Sequence, residues 1–311
     1  IDSRITVRKV SGEKSSRIVR NINRIKSIHS WIKEDSIEVL IGFTYLASYV
    51  AIISAFLLKV KIVITERTDP GNASKLMRLI KRILYRRADG GIFQTDYVRG
   101  FFKGIIKNTI VIPNMIDSDN LPSALNYKER DNRIVSVGRL DSLKNYEFLI
   151  DAIYNIQDQL IDYTVDIYGD GELFDDLQEQ INRLGLNSLV FLRGRTKDVC
   201  NKIRDAKLFV FSSLVEGFPN VLLEASAMGL PIVVLDSPSY AQRDLLRDDR
   251  YSVIVTNNDP KAFAQAILTV LNNPCDDNLI AERCTYIREK YNSANIGKQW
   301  LQFIDNVYKN K

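Results

Sequence analysis

Apolar residues recur along this chain in two rhythms that take turns. Between Lys14 and Lys33, Ile18, Ile22, Ile25, Ile28, Trp31 and Ile32 return at three- and four-residue intervals, the spacing of one helix face. Ile37 to Ile41 then reads as a short buried strand. From Val39 to Leu58 the sequence is almost uncharged, long enough at roughly 20 residues to count as a membrane-span candidate. The preferred reading divides this stretch into a strand, a turn at Gly42-Phe43-Thr44, a helix from Tyr45 to Leu58 and a β-rich strand from Val60 to Ile64. That is how a parallel α/β unit continues. A basic helical stretch, a strand over Gly91 to Gln94, a helix over Asp96 to Phe102 and a strand over Thr109 to Ile112 complete this half.

Pro113, Asn114, Pro122 and the polar run from Tyr127 to Asn132 mark a linker. A second alternation follows. Strands are predicted over Ile134 to Val137, Thr164 to Tyr168, Leu189 to Leu192, Leu208 to Phe211, Pro231 to Leu235 and Ser252 to Val255. Helices are predicted over Tyr146 to Ile156, Leu173 to Leu184, Asn220 to Met228, Pro260 to Leu271, Asp276 to Tyr291 and Ala294 to Lys309. Repeated βα units imply right-handed crossovers and doubly wound parallel sheets, whose strand ends aim one row of loops at one cleft.

Composition narrows the class. At 311 residues with 45% hydrophobic content, two cores of ordinary size are expected. The three cysteines, Cys200, Cys275 and Cys284, form no CxxC pair and are odd in number, so neither a disulfide framework nor a zinc site is signalled. A reducing cytoplasm fits. The single histidine, His29, removes most His-based triads and His-rich metal sites and reads as an ordinary helix-face residue. The net charge of +5 gives no argument for a nucleic-acid partner. Its clustering is more informative. Lys75, Arg78, Lys81, Arg82, Arg86 and Arg87 interleave with Leu76, Met77, Leu79, Ile80, Ile83 and Leu84. This is either a solvated helix face or a basic amphipathic surface lying on anionic lipid, and both are compatible with a cytoplasmic protein.

Candidate chemistry concentrates in Glu216-Gly217-Phe218-Pro219-Asn220-Val221-Leu222-Leu223-Glu224, which follows the apolar run Leu208 to Phe211 and Ser212-Ser213. Gly217 lets backbone approach a ligand, Pro219 pre-sets φ, and Asn220 is placed to cap a helix whose free N–H groups form an anion site. Glu216 and Glu224 lie eight residues apart, about two helical turns, so both are expected to face one cleft. Arg139 and Lys144, after Gly138 at a strand end, offer a planar fork and a compact point charge to phosphate oxygens. The arrangement suits a ligand with phosphates in the middle and a sugar at each end.

Glu216 and Glu224 with Gly-Phe-Pro behind the first resemble the donor site of retaining GT-B glycosyltransferases of the large group 1 (GT4-type) family. Three further segments agree: Val137-Gly138-Arg139-Leu140 with Lys144-Asn145, Ile167 to Leu173 with its Gly-Asp-Gly turn, and Ile112-Pro113-Asn114 through Asp117. Met115 departs from the family's usual glycine. The resemblance implies two Rossmann-like doubly wound parallel-sheet domains facing a cleft. They are expected as an acceptor-side domain over 1–115, a nucleotide-sugar donor domain over 116–291, and a C-terminal helix over 292–311 that packs back on the first domain through Trp300, Leu301, Phe303 and Ile304. Family members open with a strand and a Gly-rich loop; nothing before Arg4 looks like them, so the first domain reads as incomplete.

By the same resemblance Arg139, Lys144 and Glu216 would act on the donor's reacting end, with Glu216 at the donor sugar but not as a nucleophile, since the family retains configuration by front-side attack. Glu224 would accept from the ribose hydroxyls, and Gly217, Phe218, Pro219, Asn220 and Val221 would present backbone to sugar and phosphate. Arg193-Gly194-Arg195 would hold the base, with Gly194 and Arg195 in contact. Glu66 and Arg67, after the strand ending at Ile64, are the acceptor-side candidates, where turn chemistry is the plain alternative. The implied reaction moves a hexose or N-acetylhexosamine from a UDP-sugar to a polyprenyl-diphosphate-linked or growing bacterial glycan. No cofactor and no metal are expected: Asp117-Ser118-Asp119 spells the metal-binding Asp-x-Asp of the other glycosyltransferase fold, yet falls in the linker. The rival readings are a sugar-nucleotide epimerase or hydrolase on the same frame, and a catalytically dead membrane-surface binding protein.

Overall fold

Two parallel sheets carry the chain. The computed structural model describes residues 3–10, 16–238, 241–246, 252–274 and 276–310; Lys14 and Cys275, named above, lie outside them. The chain divides into one unit of Ile1–Ile112 with Lys298–Lys311, and a second of Pro113–Gly297. The division falls at 112/113, where the sequence reading placed it at 115/116.

In the first unit the order is α1 (Arg17–Glu34), β1 (Val39–Gly42), α2 (Tyr45–Ser54), β2 (Lys61–Glu66), α3 (Lys75–Leu84), β3 (Gly90–Phe93), α4 (Asp96–Gly100) and β4 (Asn108–Val111). The strands lie side by side as β1-β2-β3-β4, all parallel. Helix starts carry hydroxyl caps: Ser16, Thr44, Ser74 and Thr95 each accept from the backbone N–H three residues on. The uncharged stretch from Val39 divides into strand, turn and helix, as the preferred reading has it. Helix α2 stops four residues before the expected Leu58, because Leu57 takes the left-handed conformation at φ 64°. Among the described residues no helix is long and apolar enough to cross a membrane. His29 bonds through Nδ1 to the Ser54 carbonyl at 2.8 Å, tying α1 to α2.

The second unit continues with β5 (Asp131–Val137), α5 (Tyr146–Tyr154), β6 (Thr164–Tyr168), α6 (Phe174–Arg183), β7 (Val190–Gly194), α7 (Val199–Ile203), β8 (Ala206–Phe211), α8 (Asn220–Ala227), β9 (Ile232–Leu235), α9 (Ala241–Leu245), β10 (Ser252–Val255), α10 (Pro260–Asn272) and α11 (Asp277–Tyr291). The short helices α7 and α9 have no counterpart in the sequence reading. The parallel sheet runs β10-β9-β8-β5-β6-β7. Both faces are covered, and strand alternation sorts the side chains: Leu208 and Val210 enter one core, Phe209 and Phe211 the other. The chain moves outward from β5 through β6 and β7, then returns to the other side of β5 with β8. The switch point therefore lies between β5 and β8, where an open α/β sheet forms its ligand crevice.

Helix α12 (Ser293–Lys309) leaves the second unit, and its later turns belong to the first. Trp300 stacks on Phe43 with centroids 5.3 Å apart, and Phe303 and Val307 lie so close to Gly90 that a Cβ there would stand 2.8 Å from Val307 Cγ2. Leu301 corrects the expected contact set: it is 67% exposed.

Candidate functional site

Three turns at the carboxyl ends of β5, β6 and β7 are stitched into one shelf. The Gly138 N–H donates to Tyr168 O at 3.0 Å, Gly169 N–H to Gly194 O at 2.9 Å, and Leu140 N–H to Asp170 O at 2.8 Å. The glycines are required by this closeness. A Cβ on Gly169, at φ 154°, would stand 1.8 Å from Gly138 O; one on Gly171 would stand 2.3 Å from Leu140 O; one on Gly138 would meet the Tyr146 hydroxyl at 2.8 Å. Around the shelf opens a cavity of about 380 Å³ lined by Gly138, Arg139, Gly169, Asp170, Arg195 and Thr196 among others. Its size falls in the range of small-molecule sites, ~300–1,000 Å³.

A second set of links joins the β5 turn to the loop after β8, across the switch point. The Ser212 hydroxyl donates to Lys144 O at 2.8 Å and Leu214 N–H to Leu143 O at 2.9 Å. Asn145 enters α5 in the left-handed conformation at φ 57°, which turns the chain after Lys144. Held this way, the Lys144 ammonium forms a salt bridge with Glu216 Oε1 and lies 5.3 Å from the Phe211 ring centroid, with side-chain exposures of 22% and 12% for the ion pair. Lys144 Cδ also rests 3.3 Å from the Cβ position of Gly138, so the ion pair adjoins the shelf. Arg139 is the open cation: its side chain is 75% exposed, with Nε 3.6 Å from Asp141. Two buried polar atoms nearby, Asn145 Nδ2 and Ser213 Oγ, have no hydrogen-bond partner.

Helix α8 corrects two expectations. Asn220 is its first residue rather than its cap; Pro219 occupies the cap position and no side chain caps the first turn. The amide of Asn114 instead pins this entrance, donating to Phe218 O at 3.1 Å and to Asn220 Oδ1 at 2.5 Å. The leading N–H groups of α8 are thus left for a ligand anion. Glu216 lies before the helix, so only the second half of its spacing to Glu224 is helical, and the two carboxylates have different partners. Glu224 Oε2 meets Cys200 Sγ at 3.8 Å, next to the cavity residue Val199. Burial pushes the Glu224 carboxyl above its usual range, partly offset by the thiol, and pushes the Cys200 thiol up to about 12. Phe218 is 7% exposed and its ring belongs to the core. Gly217 and Val221 flank the helix start, each half-buried.

The remaining candidates separate. Gly194, at φ 70°, has its carbonyl taken by the shelf, while Arg195 lines the cavity. Arg193 turns away to bond Asp166 at 2.8 Å. The Asp117 carboxylate accepts from Asn120 at 2.7 Å within a local turn. In the first unit Glu66 ends β2 rather than opening the loop, is 1% exposed, and is paired at 2.6 Å with Lys81, itself 4% exposed. Thr68 and Tyr85 donate to the same carboxylate at 3.0 and 3.3 Å. Its carboxylate therefore offers no open surface. Arg67 is partly buried, which lowers its pKa, and lies 5.6 Å from the Phe43 ring centroid.

Sequence reasoning missed Asn114 as the pin of α8 and Cys200 as the neighbour of Glu224. Asn114 stood inside a quoted segment; Cys200 gave no signal, because its partner is 24 residues away.

Residues 131–273 match the family described as glycosyl transferases group 1. The chain is 33% identical over 184 residues to an uncharacterized glycosyltransferase of Methanocaldococcus jannaschii, covering 55% of this chain and 45% of that one. It is 25% identical over 297 residues to the GalNAc-alpha-(1->4)-GalNAc-alpha-(1->3)-diNAcBac-PP-undecaprenol alpha-1,4-N-acetyl-D-galactosaminyltransferase of Campylobacter jejuni, covering 94% and 81%. The chain thus spans less than half the length of the first of these relatives. The crystal structure of Anabaena Alr3699/HepE in complex with UDP superposes with a TM-score of 0.79 at 19% identity, over 93% of this chain and 82% of that one. With its two parallel sheets and this superposition, the chain has the GT-B fold, and residues 131–273 within its second unit match the group 1 glycosyl transferases.

Proposed function

We propose that this protein is a retaining glycosyltransferase that moves a hexose or N-acetylhexosamine from a UDP-sugar to a lipid-linked or growing bacterial surface glycan. The observation that carries the reading is the Lys144–Glu216 pair, fixed across the β5/β8 switch point beside the Gly138 shelf and before the uncapped start of α8. As the bond to the anomeric carbon breaks, negative charge grows on the leaving diphosphate. Lys144, Arg139 and the α8 N–H groups supply positive potential there, in place before the reaction begins. Glu216 accepts from a donor-sugar hydroxyl and orients Lys144; Glu224 accepts from the ribose; the 380 Å³ cavity beside Arg195 takes the base. The UDP of the Anabaena complex and the undecaprenol-linked substrate of the Campylobacter relative support the donor and acceptor classes. The cations make a metal unnecessary for this step.

Membrane contact is assigned to α3 and the turn after α2. Leu76, Leu79 and Ile83 are 66%, 54% and 59% exposed among basic neighbours, and Leu57 is 87% exposed beside Phe56, over whose ring Arg87 lies at 4.6 Å. Apolar side chains presented between cations suit the interface of an anionic bilayer and support a position on the cytoplasmic face.

The test is a nucleotide-sugar panel with the intact protein, scored by nucleotide release and product mass, with and without a polyprenyl-diphosphate-linked saccharide. Acceptor-dependent release with a heavier saccharide product is expected. Release without sugar transfer would favour the hydrolase reading, conversion of the donor sugar the epimerase reading, and no turnover with any donor the binding-protein reading.

A further inference from the structure

A second cavity, of about 150 Å³, opens in the first unit against α3 and is lined by Pro70, Arg78, Lys81, Arg82, Phe101 and Phe102. It is too small for a nucleotide or a drug-sized ligand, which occupy ~300–1,000 Å³. Its charge is nevertheless high. Lys81 is neutralised by Glu66 at 2.6 Å, but Arg78 and Arg82 are both exposed and, among the described residues, neither has an ion-pair partner. They stand four residues apart on one helix, so their guanidinium forks rise side by side over the cavity. Phe101 and Phe102 provide an apolar wall.

The helix also relates this cavity to the apolar stripe. At ~100° per residue, Arg78 and Arg82 occupy the arc next to that of Leu79, Ile83 and Leu76, while Met77, Ile80 and Leu84 point the other way, into the unit. A ligand whose anionic end sits between the two arginines would thus find exposed leucine and isoleucine beside it. We propose that this cavity binds a phosphoryl group, phosphate or diphosphate, presented as the head of an amphiphile whose apolar part lies along Leu79 and Ile83. Arginine pairs suit phosphoryl oxygens because each fork donates two parallel hydrogen bonds. The inference rests on the membrane-facing reading of α3 given above and sharpens it from a diffuse basic surface to a site.

The experiment compares the full chain, R78A/R82A and, as an equal-charge control, K75A/R86A, by flotation with phosphatidylcholine vesicles with and without phosphatidylglycerol. Two cations removed from a diffuse surface should cost about 30-fold in binding to the acidic vesicles. Two cations that donate charged hydrogen bonds to a bound head should cost on the order of a hundredfold or more. The expected result is the larger loss for R78A/R82A and the smaller for K75A/R86A, with little binding to neutral vesicles. A calorimetric arm titrates inorganic pyrophosphate into wild type and R78A/R82A; a donor site in the other unit contributes equally to both. Equal vesicle losses together with pyrophosphate binding that needs Arg78 and Arg82 would assign the cavity to a free phosphoryl anion. Equal vesicle losses and identical pyrophosphate isotherms would overturn the proposal. R78Q/R82Q replaces the alanine pair if that pair misfolds. Neither arm needs turnover, so a chain that transfers no sugar still gives an answer.

Discussion

Replacing Lys144 by alanine separates the two roles given to its ammonium. In the structure Lys144 and Glu216 form a largely enclosed pair, with exposures of 22% and 12%. Alanine strands the Glu216 carboxylate, 12% exposed, without its partner. Breaking a fully buried pair costs ~3–5 kcal/mol and an exposed one ~0–1 kcal/mol, so an intermediate loss of about 2 kcal/mol is expected. For a unit of this size that lowers Tm by roughly 4–8 °C. Turnover should fall further, by ~10²–10³, because the contact proposed to the leaving diphosphate is one made mainly in the transition state. The double variant K144A/E216Q distinguishes the effects. Neutralising the stranded carboxylate should restore most of the lost stability and none of the lost rate. The assays are thermal unfolding and acceptor-dependent UDP release across the K144A, E216Q and double variants. Turnover of K144A within about threefold of wild type, or no recovery of Tm in the double variant, would refute the reasoning.

Three other outcomes follow from the geometry. The Glu224 carboxyl is raised by burial, so the folded state holds its proton more tightly than the unfolded chain, and the charge costs stability once pH rises above the ordinary carboxylate range. E224Q should therefore raise Tm at neutral pH, with the gain vanishing below about pH 4, where a free carboxyl is protonated, while UDP affinity falls; a lower Tm at neutral pH would contradict this. Gly169→Ala places a methyl carbon 1.8 Å from Gly138 O and should cost about 3 kcal/mol or more in urea unfolding, with donor affinity lost in whatever folds. If, as proposed, fixed cations and a helix start carry the charge at the diphosphate, treatment with EDTA should leave transfer within about twofold; complete loss restored by magnesium would show otherwise.

Much of the frame was legible because parallel α/β units write themselves as apolar runs separated by amphipathic stretches. Leu208 to Phe211 is apolar throughout since both faces of β8 are buried, and the Gly138 and Gly169 turns were visible because close backbone approach admits only glycine. What stayed hidden depends on contacts between distant positions. The eight-residue spacing of Glu216 and Glu224 reads as about two helical turns although the predicted helix begins, as α8 does, at Asn220; that Pro219 rather than Asn220 takes the cap was not visible. Leu301 fits an apolar helix face, yet it is exposed, whereas Phe303 two positions on is buried against Gly90. Glu66 read as a loop carboxylate because its partner, Lys81, is 15 residues ahead and looked like one more member of a basic surface.

That concealed pair constrains how the sequence can change. Loss of either charge alone leaves its partner marooned in the first unit's interior at a cost of ~3–5 kcal/mol, a large part of the ~5–15 kcal/mol that keeps a typical domain folded. Exchanging both for apolar residues of similar volume is close to neutral. One-at-a-time mutational scanning would thus score positions 66 and 81 as immutable, while a library varying them jointly would recover folded hydrophobic combinations. Intolerance at these two sites reports a barrier between permitted states and carries no information about catalysis.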